Sequence, residues 1–165
     1  MPKDGDTGAR ISSDGLSIEF VWRGDRFDHA VSSLAMKIAT ADAPGLATPV
    51  FQEVHPQGDV AFASGMDADR HWSASVEAIP GGFLFDIACR LKEPPEALGS
   101  AYREWDLKRV QLVGKPADGV PPPTIHTQSG VVAVRATRPD EGSPITVRYR
   151  YAIISADAQW IERER

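Results

Sequence analysis

The stretch RHWSASVEAIPGGFLFDIACRL, residues 70–91, decides the fold. Trp72, Ala74, Val76 and Ala78 take alternate positions, and after Ile79-Pro80-Gly81-Gly82 the residues Phe83, Phe85, Ile87 and Cys89 do the same. Strict alternation is the mark of a half-buried strand, because successive side chains point to opposite faces of a sheet. Proline and glycine between two such runs supply turn geometry, so the pattern predicts an antiparallel hairpin of 70–78 with 83–91. With Ala78 opposite Phe83, the facing pairs become Val76 with Phe85, Ala74 with Ile87 and Trp72 with Cys89, one continuous apolar face. The other face then holds His71 beside Arg90, Ser73 beside Ala88, Ser75 beside Asp86 and Glu77 beside Leu84. A slip of one residue would bury His71, Glu77, Asp86 and Arg90 while exposing Phe83, Phe85 and Ile87, so this register is strongly favoured.

The same texture extends in both directions. Leu16, Ile18, Phe20 and Trp22 share one face of a strand that ends at the turn Arg23-Gly24-Asp25, and a run from His29 to Ile38 is placed to pair with it. Val131–Thr137 and Ile145–Ile154 read as strands joined by a hairpin-type loop. In the last of them Ile145, Val147, Tyr149, Tyr151 and Ile153 face inward and Thr146, Arg148 and Arg150 outward. Leu107–Val113 reads as a further strand, followed by an extended surface loop from Gly114 to Pro123. A short helical turn is expected over Glu96–Tyr102, after two prolines, and a frayed helix over Ala156–Arg165. Residues 1–15, rich in Gly, Asp and Ser, read as a flexible tail, which leaves 16–165 as a single domain.

Composition narrows the function classes. The chain has 165 residues, 42% apolar and 25% charged, enough for one core without metal or disulfides. Its 18 basic and 23 acidic residues give a net charge of −5 with no basic block, which argues against nucleic acid as a partner. No apolar run approaches the roughly 20 residues of a membrane-spanning helix, so no membrane partner is expected. The first ten residues lack a basic segment followed by an apolar one, so the expected location is cytoplasmic. The lone Cys89 falls on the apolar face of the hairpin, away from His71, and reads as a small core residue rather than a nucleophile. His29, His55, His71 and His126 are scattered, without metal-ligand spacing, and nucleotide-binding glycine motifs are absent, so neither a metal nor a cofactor is expected.

Two places carry side chains suited to binding. The segment Trp22-Arg23-Gly24-Asp25-Arg26-Phe27-Asp28-His29 interleaves charge with aromatic rings at a strand end. Trp22 is suited to stacking on a sugar while Arg26, Asp28 and His29 hydrogen-bond its hydroxyls. The competing reading makes Asp25 or Asp28 the partner of Arg23 or Arg26 in holding a turn, with Trp22 and Phe27 closing the end of the core. The embedded Arg23-Gly24-Asp25 also matches an adhesion tripeptide, too short to carry weight without a secretory signal. The second place is the polar hairpin face, where His71 and Arg90 stand side by side, or where cross-strand polar pairs merely solvate the sheet. His71 and Glu77 are six residues apart on one strand, about 20 Å at roughly 3.3 Å per residue, so they cannot share a proton relay. Glu77 and Asp86, diagonal neighbours, are the one acid/base couple this register allows.

The segment Trp22-Arg23-Gly24-Asp25-Arg26-Phe27-Asp28 resembles an Arg-Gly-x-Arg-Phe-Asp element of some bacterial galactose mutarotase-like proteins, a β-sandwich superfamily that handles sugars. The resemblance spans about a dozen residues, and His71–Glu77 is generically similar to strands of the same superfamily. It implies a sugar-handling sandwich and directs attention to Arg26, Asp28, His71 and Glu77. The sequence therefore leads to an all-β, mainly antiparallel β-sandwich with at most one or two short helices. The expected function is the binding of a carbohydrate or similar small polar ligand through Trp22, Arg26, Asp28, His29, His71 and Arg90. Two alternatives stand beside it. One is a mutarotase-like enzyme acting on an aldose, with His71 or His29 as acid and Glu77 or Asp28 as base. The other is a homodimeric interaction protein paired through strand edges.

Overall fold

The computed structural model describes residues 7–13, 15–33, 36–92, 97–137 and 145–156. Fourteen strands form among them. The first four are β1 (Thr7–Ser13), β2 (Leu16–Arg23), β3 (Arg26–Ser33) and β4 (Met36–Ala39), followed by the short β5 (Leu46–Ala47). Then come β6 (Glu53–Gln57), β7 (Val60–Asp67), β8 (Arg70–Ile79) and β9 (Gly82–Leu91). The chain continues with β10 (Ala97–Arg103), β11 (Val110–Lys115), β12 (Thr124–Gln128), β13 (Val131–Arg135) and β14 (Ile145–Ser155). A single 3-10 turn covers Glu104–Leu107. Among the described residues no helix is long and apolar enough to cross a membrane.

The strands make an all-β fold of three sheets, ordered β1-β2-β3-β4, β12-β13-β10-β5 and β11-β14-β9-β8-β7-β6. Pairing is antiparallel except for β5 with β10. The hairpin β8–β9 carries the expected register, with Ala78 opposite Phe83, Val76 opposite Phe85, Ala74 opposite Ile87, Trp72 opposite Cys89 and His71 opposite Arg90. Its apolar face is the core: Trp72, Val76, Phe85, Ile87 and Cys89 are buried, and β14 extends that face with Val147, Tyr149, Tyr151 and Ile153. Against this inner face the other two sheets present Phe20, His29, Val31 and Ile38 on one side and Ser100, Tyr102 and Val134 on the other. The layers touch at defined points. His29 meets Phe85 at 5.0 Å between ring centres, and Ser100 and Tyr102 hydrogen-bond the Tyr149 and Tyr151 hydroxyls at 2.8 and 2.6 Å.

Several expectations need correction. Residues 7–13, expected within the tail, form β1 along Leu16–Val21, where Ile11 is buried, because the partner strand satisfies the backbone's hydrogen-bonding groups. The run from His29 to Ile38 begins earlier, at Arg26, and is divided between β3 and β4, which pair as a hairpin of their own. The helical turn expected over Glu96–Tyr102 is not formed by its described residues: Ala97–Arg103 is an inner strand between β13 and β5. Six consecutive residues, Ala97–Tyr102, are buried on both faces, so no alternation marks the strand and local helix-forming preference is overridden by pairing. Gly99 shows how close the neighbours lie, since a Cβ there would stand 1.9 Å from the Val134 carbonyl oxygen. The strand expected at Leu107–Val113 runs instead over Val110–Lys115, displaced by the 3-10 turn. The loop at 138–144 and the carboxyl-terminal helix expected beyond Ala156 lie outside the described residues.

The hairpin β6–β7 carries an inverted pattern. Ala61 and Ala63 point inward and are buried, while Phe62 and Met66 are 44% and 49% exposed on the outer face. Small residues are required inside because the chain at Val50–Gln52 crosses here: the Gln52 amide donates to the Ser64 carbonyl at 2.7 Å, and a Cβ on Gly65 would lie 2.0 Å from the Val50 carbonyl oxygen.

Candidate functional site

The structure separates the two groups of residues expected to bind a ligand. At the β2–β3 turn, Trp22 stacks on Phe27 with ring centres 4.4 Å apart, which closes the end of the core and leaves no free ring face of the pair between them. Asp28 is occupied. Its carboxylate accepts from the Arg23 guanidinium and from the His29 backbone amide at 2.9 Å, with the Arg26 guanidinium 3.9 Å away. Arg23 also donates to Thr40 Oγ1 at 3.1 Å, and Arg26 reaches Asp42 at 3.6 Å. The turn is thus held by the pairing of Asp28 with Arg23 and Arg26, the competing reading of this segment. Beside it lies a cavity of about 10 Å³, lined by Arg26, Asp28, His29 and Ser100 among others. That volume is room for about one water molecule and no sugar.

His29 is the neighbour of Asp28 in sequence but belongs to the opposite side of β3. It is 2% exposed, and its Nε2 is hydrogen-bonded to the Tyr102 hydroxyl at 2.8 Å, which in turn meets the Tyr151 hydroxyl at 2.6 Å. Burial pushes the imidazole down from its ordinary 6.5 to about 4; the Asp28 carboxylate opposes this and Arg23 adds to it. The same burial holds the Tyr102, Tyr149 and Tyr151 hydroxyls well above the ordinary phenol range. These groups are neutral at physiological pH and satisfy one another's hydrogen bonds, as polar groups inside a core must. Cys89 is likewise a core group, its thiol pushed up to about 12 chiefly by burial.

His71 and Arg90 stand on the outer face of the six-stranded sheet, opposite one another in register and both exposed. His29 packs on Phe85 at the inner face of that sheet, so a full sheet separates the two histidines and they share no cavity. Glu77, on the outer face with His71, lies at the far end of the same strand. Neither His71 with Asp28 nor His71 with Glu77 can close over one sugar ring.

Around His71 and Arg90 the β7–β8 turn completes an open cleft of about 590 Å³ lined by Met66, Ala68, Asp69, His71, Arg90 and Lys92. Asp69, Met66 and Lys92 were not signalled by the sequence as site residues; the one hint is the pair of turn-favouring aspartates at 67 and 69 bracketing the turn. Ala68 in this turn holds a left-handed backbone, φ +56°. Its Cβ makes that conformation cost about 1 kcal/mol, which glycine would avoid. Ala68→Gly is therefore expected to raise the melting temperature by about 2–4 °C, read by calorimetry; an unchanged or lowered value would show that the turn is unstrained.

Among the described residues no group of three His, Cys, Asp or Glu side chains converges to hold a metal ion. No family model, curated protein or solved structure matches the chain.

Proposed function

We propose that the protein is a non-catalytic binding module that holds a small polar ligand, carbohydrate by class, in the cleft beside His71 and Arg90. The observation that carries this reading is the size of the two spaces: about 590 Å³ beside His71 and Arg90 against about 10 Å³ beside Asp28 and His29. Ligand sites for small molecules are typically about 300–1,000 Å³. The cleft combines a guanidinium fork, an imidazole and the Asp69 carboxylate as hydrogen-bonding groups with the exposed Met66 side chain as an apolar surface. A sugar offers the same mixture, hydroxyl edges and an apolar ring face. The strained Ala68 at the rim fits a binding edge, where such backbone is found more often than elsewhere.

Titration of the full chain with a panel of mono- and disaccharides, followed by amide chemical shifts, tests this. Saturable shifts are expected at residues 66–71 and 90–92. His71→Ala and Arg90→Ala should each weaken binding about tenfold, the equivalent of one hydrogen bond. Absence of any shift across the panel, or shifts that both variants leave intact, would remove the proposal. The rate at which a free aldose equilibrates between anomers is expected to be unchanged by the protein.

A further inference from the structure

We infer that the outer face of the sheet β12-β13-β10-β5 holds a separate ligand site, one that takes a small carboxylic acid with a flat apolar body beside Arg135 and His126. Strand β13 pairs with β12 on one side and β10 on the other, and the register puts His126 opposite Ala133 and Thr124 opposite Arg135. Val132 and Val134, the alternate residues of β13, are buried against the core, so Ala133 and Arg135 face outward together with His126 and Gln128. Along the other edge of β10 the Ala41 amide donates to the Ala101 carbonyl at 2.7 Å and Leu46 pairs with Ala97. The loop between these two contacts and the side chains of β12 become the opposite walls of a cleft of about 500 Å³, floored by Ala97 and Ala133. Alanines on the two inner strands leave open the space that larger side chains would fill.

The chemistry of the lining favours an anion. No carboxylate lines the cleft, although the chain carries a net charge of −5. Asp42, at the start of the loop, pairs with Arg26 at 3.6 Å. Among the described residues no carboxylate stands within ion-pair distance of Arg135. Arg135 and His126 are diagonal neighbours across the β12–β13 pair, about 7–8 Å apart at the backbone, so both side chains reach a carboxylate held between them. The guanidinium offers a planar fork to its two oxygens. Thr124 Oγ1 and His126 Nε2 are hydrogen-bonded at 2.9 Å; with the hydroxyl as donor, the neutral ring keeps its proton on Nδ1, a donor for the ligand. Away from Arg135 the lining turns apolar, with Leu46 and Val131 beside the alanine floor. Methyl groups of adjacent strands make a level floor, which suits the face of a planar ring. The site is independent of the cleft at His71 and Arg90. Ser100 and Tyr102 meet Tyr149 and Tyr151 at the inner faces of the two sheets, so the core lies between their outer faces.

Benzoate, benzyl alcohol and acetate are the probes, each titrated into the full chain with amide shifts as readout. Benzoate is expected to give saturable shifts at Gly45, Leu46, Ala133 and 126–129, well away from the amides at 66–71 and 90–92. Benzyl alcohol, which lacks the charge, and acetate, which lacks the ring, should each bind about tenfold more weakly or less. Arg135→Gln, a substitution on the exposed surface, should lower benzoate affinity about tenfold and leave the melting temperature unchanged. Ala133→Leu fills the floor from the outer face and should abolish the benzoate shifts. Benzyl alcohol as tight as benzoate would reduce the site to an apolar surface, and acetate as tight would reduce it to an exposed cation; either result overturns the proposal. So does benzoate that moves none of these amides, or benzoate affinity that Arg135→Gln leaves unchanged.

Discussion

Replacing Phe85 by alanine is expected to destabilise the fold by about 3–5 kcal/mol, the range for removing a buried aromatic ring and leaving a cavity. Phe85 is fully buried at the middle of β9, stacked on Tyr151 with ring centres 4.8 Å apart and planes 8° from parallel, and in contact with His29 from the sheet opposite. Both layers lose a contact together, and neither can close the gap without moving a strand. In a domain of this size the loss corresponds to roughly 10 °C in melting temperature at about 2–4 °C per kcal/mol. Ser73→Ala, on the exposed face of the adjacent strand, is the control and should change stability by no more than about 0.5 kcal/mol. Denaturant unfolding of the two variants decides the assignment of faces on which the whole architecture rests. Equal effects would mean that the ring does not point into the core.

The second large effect is on pH dependence. His29 is neutral in the fold with its pKa near 4, whereas in the unfolded chain it takes up a proton near 6.5. Because the unfolded state binds the proton first, the contribution of this residue is fully present above pH 6.5 and is lost as pH falls towards 4. A displacement of this size is worth about 3 kcal/mol at roughly 1.4 kcal/mol per unit. His29→Gln keeps a hydrogen-bonding group near the Tyr102 hydroxyl but does not titrate. Its stability should start lower than that of the parent at pH 7 and then fall less steeply between pH 6.5 and 4, carboxylate titrations being common to both proteins. Parallel curves for the two would show that the imidazole is accessible to protons in the fold, contrary to its burial.

The legible parts of this protein are those where one face of a strand is apolar and the other is not. β8, β9 and β14 are of this kind, and their side chains announce both the strand and its register. β7 is hidden because its alternation is reversed, alanines inside and Phe62 and Met66 outside, so polarity points to the wrong face. β10 is hidden for a different reason: with Ala97–Tyr102 buried on both sides, no period remains to be read. The candidate site residues divide in the same way. The partnership of His71 and Arg90 follows from the hairpin register alone. Asp69 and Met66 line the same cleft through the β7–β8 turn, which local pattern does not specify.

Sequence alone determined that the chain is all-β, that residues 70–91 form a hairpin, and which of its side chains face the core, because a two-residue period and the cost of burying charge act locally. Only the tertiary structure decided that His29 lies inside a hydrogen-bonded tyrosine cluster while Asp28, one residue away, closes a surface turn with two arginines. The reason is that a strand reveals its two faces but not what will cover them: whether a histidine meets water or a phenol depends on which distant sheet packs against it.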